Sequence, residues 1–103
     1  MTNTNDSWTA LGDTMRRAIF ELLVEDPRSV TELARALPVT RSAVSQHLKV
    51  LKGAGLVVDT PAGKHRIYRV DPNGLAPLRA DLDRYWMKAL AAYKAAVEQP
   101  QEE

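Results

Sequence analysis

The sequence predicts a mostly α-helical fold with one small β-hairpin, in the order α-α-α-α-β-β-α. Three observations lead there. Two amphipathic stretches, 31–37 and 40–52, are separated only by Pro38-Val39, the pattern of two helices joined by a tight turn. An apolar, β-branched run, Leu56–Val58, and a second strand candidate, His65–Val70, flank a stretch of turn-forming residues, as in a hairpin. Beyond Asp71-Pro72, apolar residues recur at spacings of three and four for roughly 26 residues, the period of a long helix.

The chain has 103 residues, 45% hydrophobic and 26% charged, which fits a single globular domain rather than a disordered segment. It contains no Cys. That excludes disulfides and thiolate metal sites, and it fits a reducing compartment. No apolar run approaches the roughly 18 residues of a membrane span. The start, MTNTNDSW, lacks the basic and apolar blocks of a signal peptide. The expected location is the cytoplasm.

Net charge is only +1, but its distribution is uneven. Residues 35–69 hold seven Lys or Arg against a single acid, Asp59, for a local balance of +6, and the remainder carries −5. A basic middle between acidic flanks is the electrostatic footprint of a nucleic-acid surface.

Taken in order, residues 1–6 are polar and expected to be disordered, 7–98 form the folded domain, and 99–103 form a flexible tail. Ser7 to Leu11 reads as a short helix with a Ser cap, ended by Gly12, with Trp8 as an anchor. Asp13 caps a second helix whose buried stripe is Met15, Ile19 and Leu22, and Asp26-Pro27 closes it. Arg16 and Arg17 read as part of its solvated face. Thr31 opens a third helix, with Leu33 and Leu37 inward and Glu32 near its positive end.

Thr40 caps the fourth helix, in which Val44, Leu48 and Leu51 form the buried stripe. On its outer face stand Ser42, Gln46 and Lys49, with Ser45 beside them and Arg41 in the first turn. Short hydrogen-bonding groups mixed with long cations suit base edges and phosphates. Lys52 sits in the last turn, and Gly53 and Gly55 offer a left-handed stop. The hairpin that follows turns through Asp59–Lys64 and carries Lys64, His65, Arg66 and Arg69, so it forms a wing beside the helix-turn-helix.

The last helix opens on Asp71 as cap and Pro72 at its first position. Its stripe runs through Leu75, Leu78, Leu82, Tyr85, Ala89, Ala92 and Ala96, with Trp86, Leu90, Tyr93 and Val97 alongside. A domain this small cannot cover that width alone, so a second subunit is expected to do so. The expected interface residues are Trp8, Leu78, Leu82, Tyr85, Trp86, Ala89 and Tyr93.

The segments LGDTMRRAIFELL, VTELARALPVTRSAVSQHLKVLKGAGLV and GKHRIYRVDPNGLAPLRADLDRYW, in this order, resemble the bacterial winged helix-turn-helix repressors of the ArsR family. The likeness runs from about Trp8 to Val97. It implies a homodimer paired through the first and last helices, with the fourth helix in the major groove. The family's base-contacting positions fall on Arg41, Ser42, Ser45 and Gln46. The expected backbone contacts are Thr40, His47 and Lys49, together with Lys64, His65 and Arg66 at the wing.

The family's metal sensors carry a Cys-Val-Cys-Asp-Leu element that aligns here with Ser29-Val30-Thr31-Glu32-Leu33, where hydroxyls replace both thiolates. Hydroxyls are poor ligands for soft metals. A second family site uses Asp and His on the last helix, where Asp81 and Asp83 occur but no His does. The expectation is therefore a regulator with no metal and no cofactor, binding a near-palindromic double-stranded operator, its inducer unknown. The competing reading is a winged-helix protein-interaction module that has abandoned DNA. The uncompensated basic stretch over both reading helix and wing argues against it. Enzymatic activity is not expected, because the chain shows no thiol nucleophile, clustered His and acid, or phosphate-cradling Gly loop.

Overall fold

A computed structural model describes residues 4–99. The elements are α1 (Thr4–Gly12), α2 (Thr14–Glu25), α3 (Val30–Ala36), α4 (Arg41–Gly53), β1 (Val57–Ala62), β2 (His65–Val70) and α5 (Pro72–Glu98). This is the expected order of elements. Residues 1–3 and 100–103, assigned from sequence to disordered ends, lie outside the described residues. Thr4, Asn5 and Asp6, expected to be disordered with them, belong to α1. Asp6 lies in the first turn, where a carboxylate complements the helix dipole.

That earlier start changes the role of Ser7. It was expected as a cap but lies inside α1, 2% exposed. Its hydroxyl donates to the carbonyl of Ala54 at 3.2 Å, tying α1 to the end of α4. Asp13 caps α2 as expected, accepting from the Arg16 backbone N–H at 2.9 Å. The buried face of α2 is Ile19, Phe20 and Leu23, whereas Met15 and Leu22 are only partly covered. The helix packs against α1, α4 and β2.

The cap of α3 is Ser29, two residues ahead of the expected Thr31. Its hydroxyl accepts from the Glu32 N–H at 3.2 Å, while the Ser29 N–H donates to the Glu32 carboxylate at 3.0 Å. Ser-x-x-Glu is thus a capping box, satisfying two orphan donors reciprocally. Thr40 caps α4 through Ala43, and Val44, Leu48 and Leu51 are fully buried as expected. Beyond α4, Gly55 takes φ +78°. The Gly55 and Leu56 N–H groups donate to the carbonyls of Lys52 and Leu51, the Schellman arrangement that Gly allows.

The hairpin is longer than expected. β1 continues through Asp59, Thr60, Pro61 and Ala62, and only Gly63-Lys64 form the turn. Gly63, at φ +63°, supplies the positive angle that a two-residue hairpin loop needs. Pro61 is tolerated because β1 has one partner strand, leaving its other edge free of ladder bonds. On its outer side β2 meets Arg28, and the two residues Arg28 and Tyr68 exchange both backbone bonds at 3.0 and 2.8 Å. The return strand is thereby fixed to the α2–α3 connection.

The core gathers Ile19, Leu33, Val44, Leu48, Leu51 and Leu56, each at 0% exposure. From α5 only Leu78 is buried in it. At 5% exposure it has almost no side-chain surface left for a partner. The expected place of Leu78 in a subunit interface is therefore corrected to the protomer's own core. The second half of α5 projects from the body, and the molecule reaches 69 Å along its longest axis.

Candidate nucleic-acid interface

One face of α4 is committed to the core and the other is open. Arg41, Ser42, Ser45, Gln46 and Lys49 are all exposed, while Val44 and Leu48 between them are buried. Because residues four apart stack on a helix, Ser42 lies over Gln46 and Arg41 over Ser45. The four base-reading candidates thus occupy one outward patch at the start of α4. Thr40 is exposed too, but its oxygen is already engaged in capping.

His47 differs from its neighbours in being half-buried, near the Asp13 cap of α2. There the Asp13 carboxyl is held below the usual range mainly by the Arg16 backbone N–H, with smaller contributions from the Arg16 and His47 charges. The wing tip presents Lys64 and His65, both exposed. Arg66, expected alongside them, instead forms an ion pair with Asp59. Lys52, in the last turn of α4, reaches the other oxygen of the same carboxylate at 2.8 Å. Arg69 donates to the Thr60 hydroxyl at 3.3 Å, diagonally across the hairpin.

Sequence reasoning used Asp59 in a count of charge and as a turn residue, and missed it as a junction. The signal was present: a lone acid among seven bases is a natural ion-pair centre. Arg28 was missed as well, because a bridge built from backbone groups leaves no side-chain signature.

The comparisons agree with this geometry. A family described as "Helix-turn-helix domain" matches residues 11–60. HTH-type transcriptional regulator Rv2034 of Mycobacterium tuberculosis is 59% identical over 92 residues, spanning 89% of this chain and 86% of that protein. HTH-type transcriptional repressor SmtB of the same species is 43% identical over 72 residues, 70% of this chain and 53% of its own length. An ArsR-like transcriptional regulator from Rhodococcus has a solved structure with TM-score 0.76 and 32% identity, covering 94% of each chain. The chain belongs to the ArsR family. It is a winged helix-turn-helix, DNA-binding transcriptional regulator. At the level of fold alone, it is also similar to a Mycobacterium bovis domain solved as a homodimeric winged helix-turn-helix. That likeness has TM-score 0.64 and 22% identity, over 96% of this chain and 85% of that one.

Within this ArsR-family chain, two of the positions that align with metal ligands, Ser29 and Asp81, have other work. Ser29 is 7% exposed, its hydroxyl engaged by the capping box, which also holds the Glu32 carboxyl below its usual range. Asp81 accepts from the Trp8 indole at 2.8 Å and from Arg84 at 2.9 Å, which joins α1 to α5. Asp83 is exposed. Among the described residues, no three His, Asp or Glu side chains stand close enough to hold a metal ion, and no helix is long and apolar enough to cross a membrane.

Proposed function

We propose that this protein is a homodimeric repressor that occupies a near-palindromic operator in the cytoplasm and is not released by metal. The observation that carries this reading is the outward patch of α4, exposed and polar, flanked by an exposed cationic wing tip. Arg41, Ser42, Ser45 and Gln46 read base edges in the major groove. Thr40, His47, Lys49, Lys64 and His65 engage the phosphates on either side. Arg66 is set apart from these by its ion pair with Asp59.

Support for a dimer comes from α5. Leu82, Tyr85, Trp86, Leu90 and Tyr93 are 48–67% exposed in the single chain. An apolar stripe of this size on a soluble domain calls for a cover. Ala89, on the same face, allows a second helix to approach closely. Trp8 stands beside this face, fixed to it through Asp81. Two-fold pairing would set the two α4 helices on half-sites about one helical turn of DNA apart, roughly 34–36 Å. Repression is supported by the likeness to SmtB, a transcriptional repressor, and a dimer by the likeness to the homodimeric M. bovis domain.

Selection of bound duplexes from a random pool tests this reading directly. The expected product is an inverted repeat, bound by two chains per site, that stays bound when stoichiometric Zn²⁺, Cd²⁺ or arsenite is added. Recovery of no consensus would overturn the DNA-reading assignment. Release by one of these metals, reversed by chelation, would overturn the non-metal reading.

A further inference from the structure

Asp59 is the single acid among residues 35–69. It stands on β1, and its side chain is only 4% exposed. One oxygen accepts from Lys52 at the end of α4. The other pairs with Arg66 on β2, a diagonal neighbour on the same face of the hairpin, because the direct partner of Asp59 is Tyr68. The carboxylate is covered by these two partners rather than sunk in the core, so the pairs and not burial hold it in place. The hydrogen bond from Lys52, then that from Arg66, hold its carboxyl below the usual range. Both cations remain about half exposed, at 55% and 54%. The two pairs therefore form a joint between the reading helix and the wing.

We propose that Asp59 is a positioning and specificity-determining residue for operator recognition, an inference that rests on the reading that α4 and the wing face DNA. Its carboxylate sets the angle between α4 and the hairpin, so that base edges and flanking phosphates are met together by one rigid unit. It also compensates two cations that would otherwise attract any phosphate. Attraction to phosphate raises affinity for all sequences alike. Holding Lys52 and Arg66 against Asp59 therefore widens the gap between operator and random DNA.

The test compares a duplex enriched from the random pool with a scrambled duplex of equal length, across a series of salt concentrations. Asp59→Asn keeps the shape and removes the charge. The operator-to-scrambled ratio should fall roughly tenfold, the cost of about one base pair's worth of discrimination. Affinity for the scrambled duplex should hold or rise, and the salt dependence should steepen by up to about 0.9 per freed cation in each subunit. Arg66→Gln gives an independent arm if Asp59→Asn fails to fold. It should lower the ratio while leaving the salt slope unchanged, since that cation is already compensated. An unchanged ratio and slope in Asp59→Asn would overturn the inference, as would an equal loss on both duplexes at unchanged slope, which marks a structural role only. A wild-type protein that does not distinguish the two duplexes would instead sink the DNA-reading proposal itself, and this inference with it.

Discussion

Gln46 and Lys64 are both exposed, yet they are expected to fail differently when removed. Gln46 projects from the second turn of α4, with an amide that both donates and accepts, suited to bidentate contact with a base edge. Gln46→Ala should relax preference at particular operator positions, at a cost of roughly 1–3 kcal/mol. Lys64 is a point charge at the hairpin tip and carries no sequence information. Lys64→Ala should weaken every duplex alike and reduce the salt slope by about one per subunit. A panel of single-base operator variants at several salt concentrations separates the two, and reversed signatures would exchange the roles of helix and wing. Asp59 adds a pH dependence whose sign follows from its depressed carboxyl. A group with a lower pKa in the folded state stabilises fully above its unfolded value and loses that contribution as pH falls through the folded one. With an ordinary value of 3.8, the stability gap between wild type and Asp59→Asn should be constant from about pH 5 upward and should close below about pH 4. Urea titrations of both proteins across this range check it, and a gap that persists into strong acid would mean the ion pairs are not its source.

The elements were legible from sequence to the extent that side chains announce them. Val44, Leu48 and Leu51 recur at helical spacing, with Thr40 ahead of them and Gly55 behind, and α4 took that form. Boundaries slipped where two residues competed for one role. Ser29 and Thr31 are both capable caps, and the reciprocal bond with Glu32 decided for Ser29. Ser7 has the chemistry of a cap, but its burial against Ala54 became visible only once α1 and α4 were packed together. Asp59–Ala62 reads as turn chemistry, yet an edge strand accepts Pro61 and the Lys52–Asp59 pair draws the strand onward. The Ser-x-x-Glu box is a local signal that the sequence does carry, whereas tertiary contact decided the last two of these cases, and periodicity carries no record of it. Gly74 belongs to the same class. A Cβ placed on it would stand 1.9 Å from the carbonyl oxygen of Gly55. The first turn of α5 therefore lies directly on the backbone that ends the reading helix, where the Asp71 N–H also donates to the Leu56 carbonyl at 3.0 Å. Gly74→Ala would ordinarily favour a helix. Here it must push α5 away, and it should destabilise by roughly 1–3 kcal/mol, the usual cost of overpacking. A thermal melt at or above wild-type temperature would contradict that close approach.

For the whole molecule, the division of α5 matters more than its length. Its first turns bury Leu78 in the protomer, and beyond that point its large apolar residues are exposed. The helix thus serves the fold at one end and is available to a partner at the other. A substitution beyond Leu78 can therefore separate assembly from folding. Leu82 is 54% exposed within its own chain, so Leu82→Asp leaves the protomer core untouched and should preserve helix content by circular dichroism. In a dimer the same carboxylate would enter an apolar seam beside its two-fold mate. Burying an unpaired charge there costs several kcal/mol unless it takes up a proton. Sedimentation equilibrium should show folded monomers at concentrations where the wild type is dimeric. Operator affinity should fall sharply with it, because each half-site then binds a single wing and helix without the linkage that a dimer supplies. If Leu82→Asp remains a dimer with unchanged dissociation constant, the seam lies elsewhere, and the exposed stripe of α5 needs another cover.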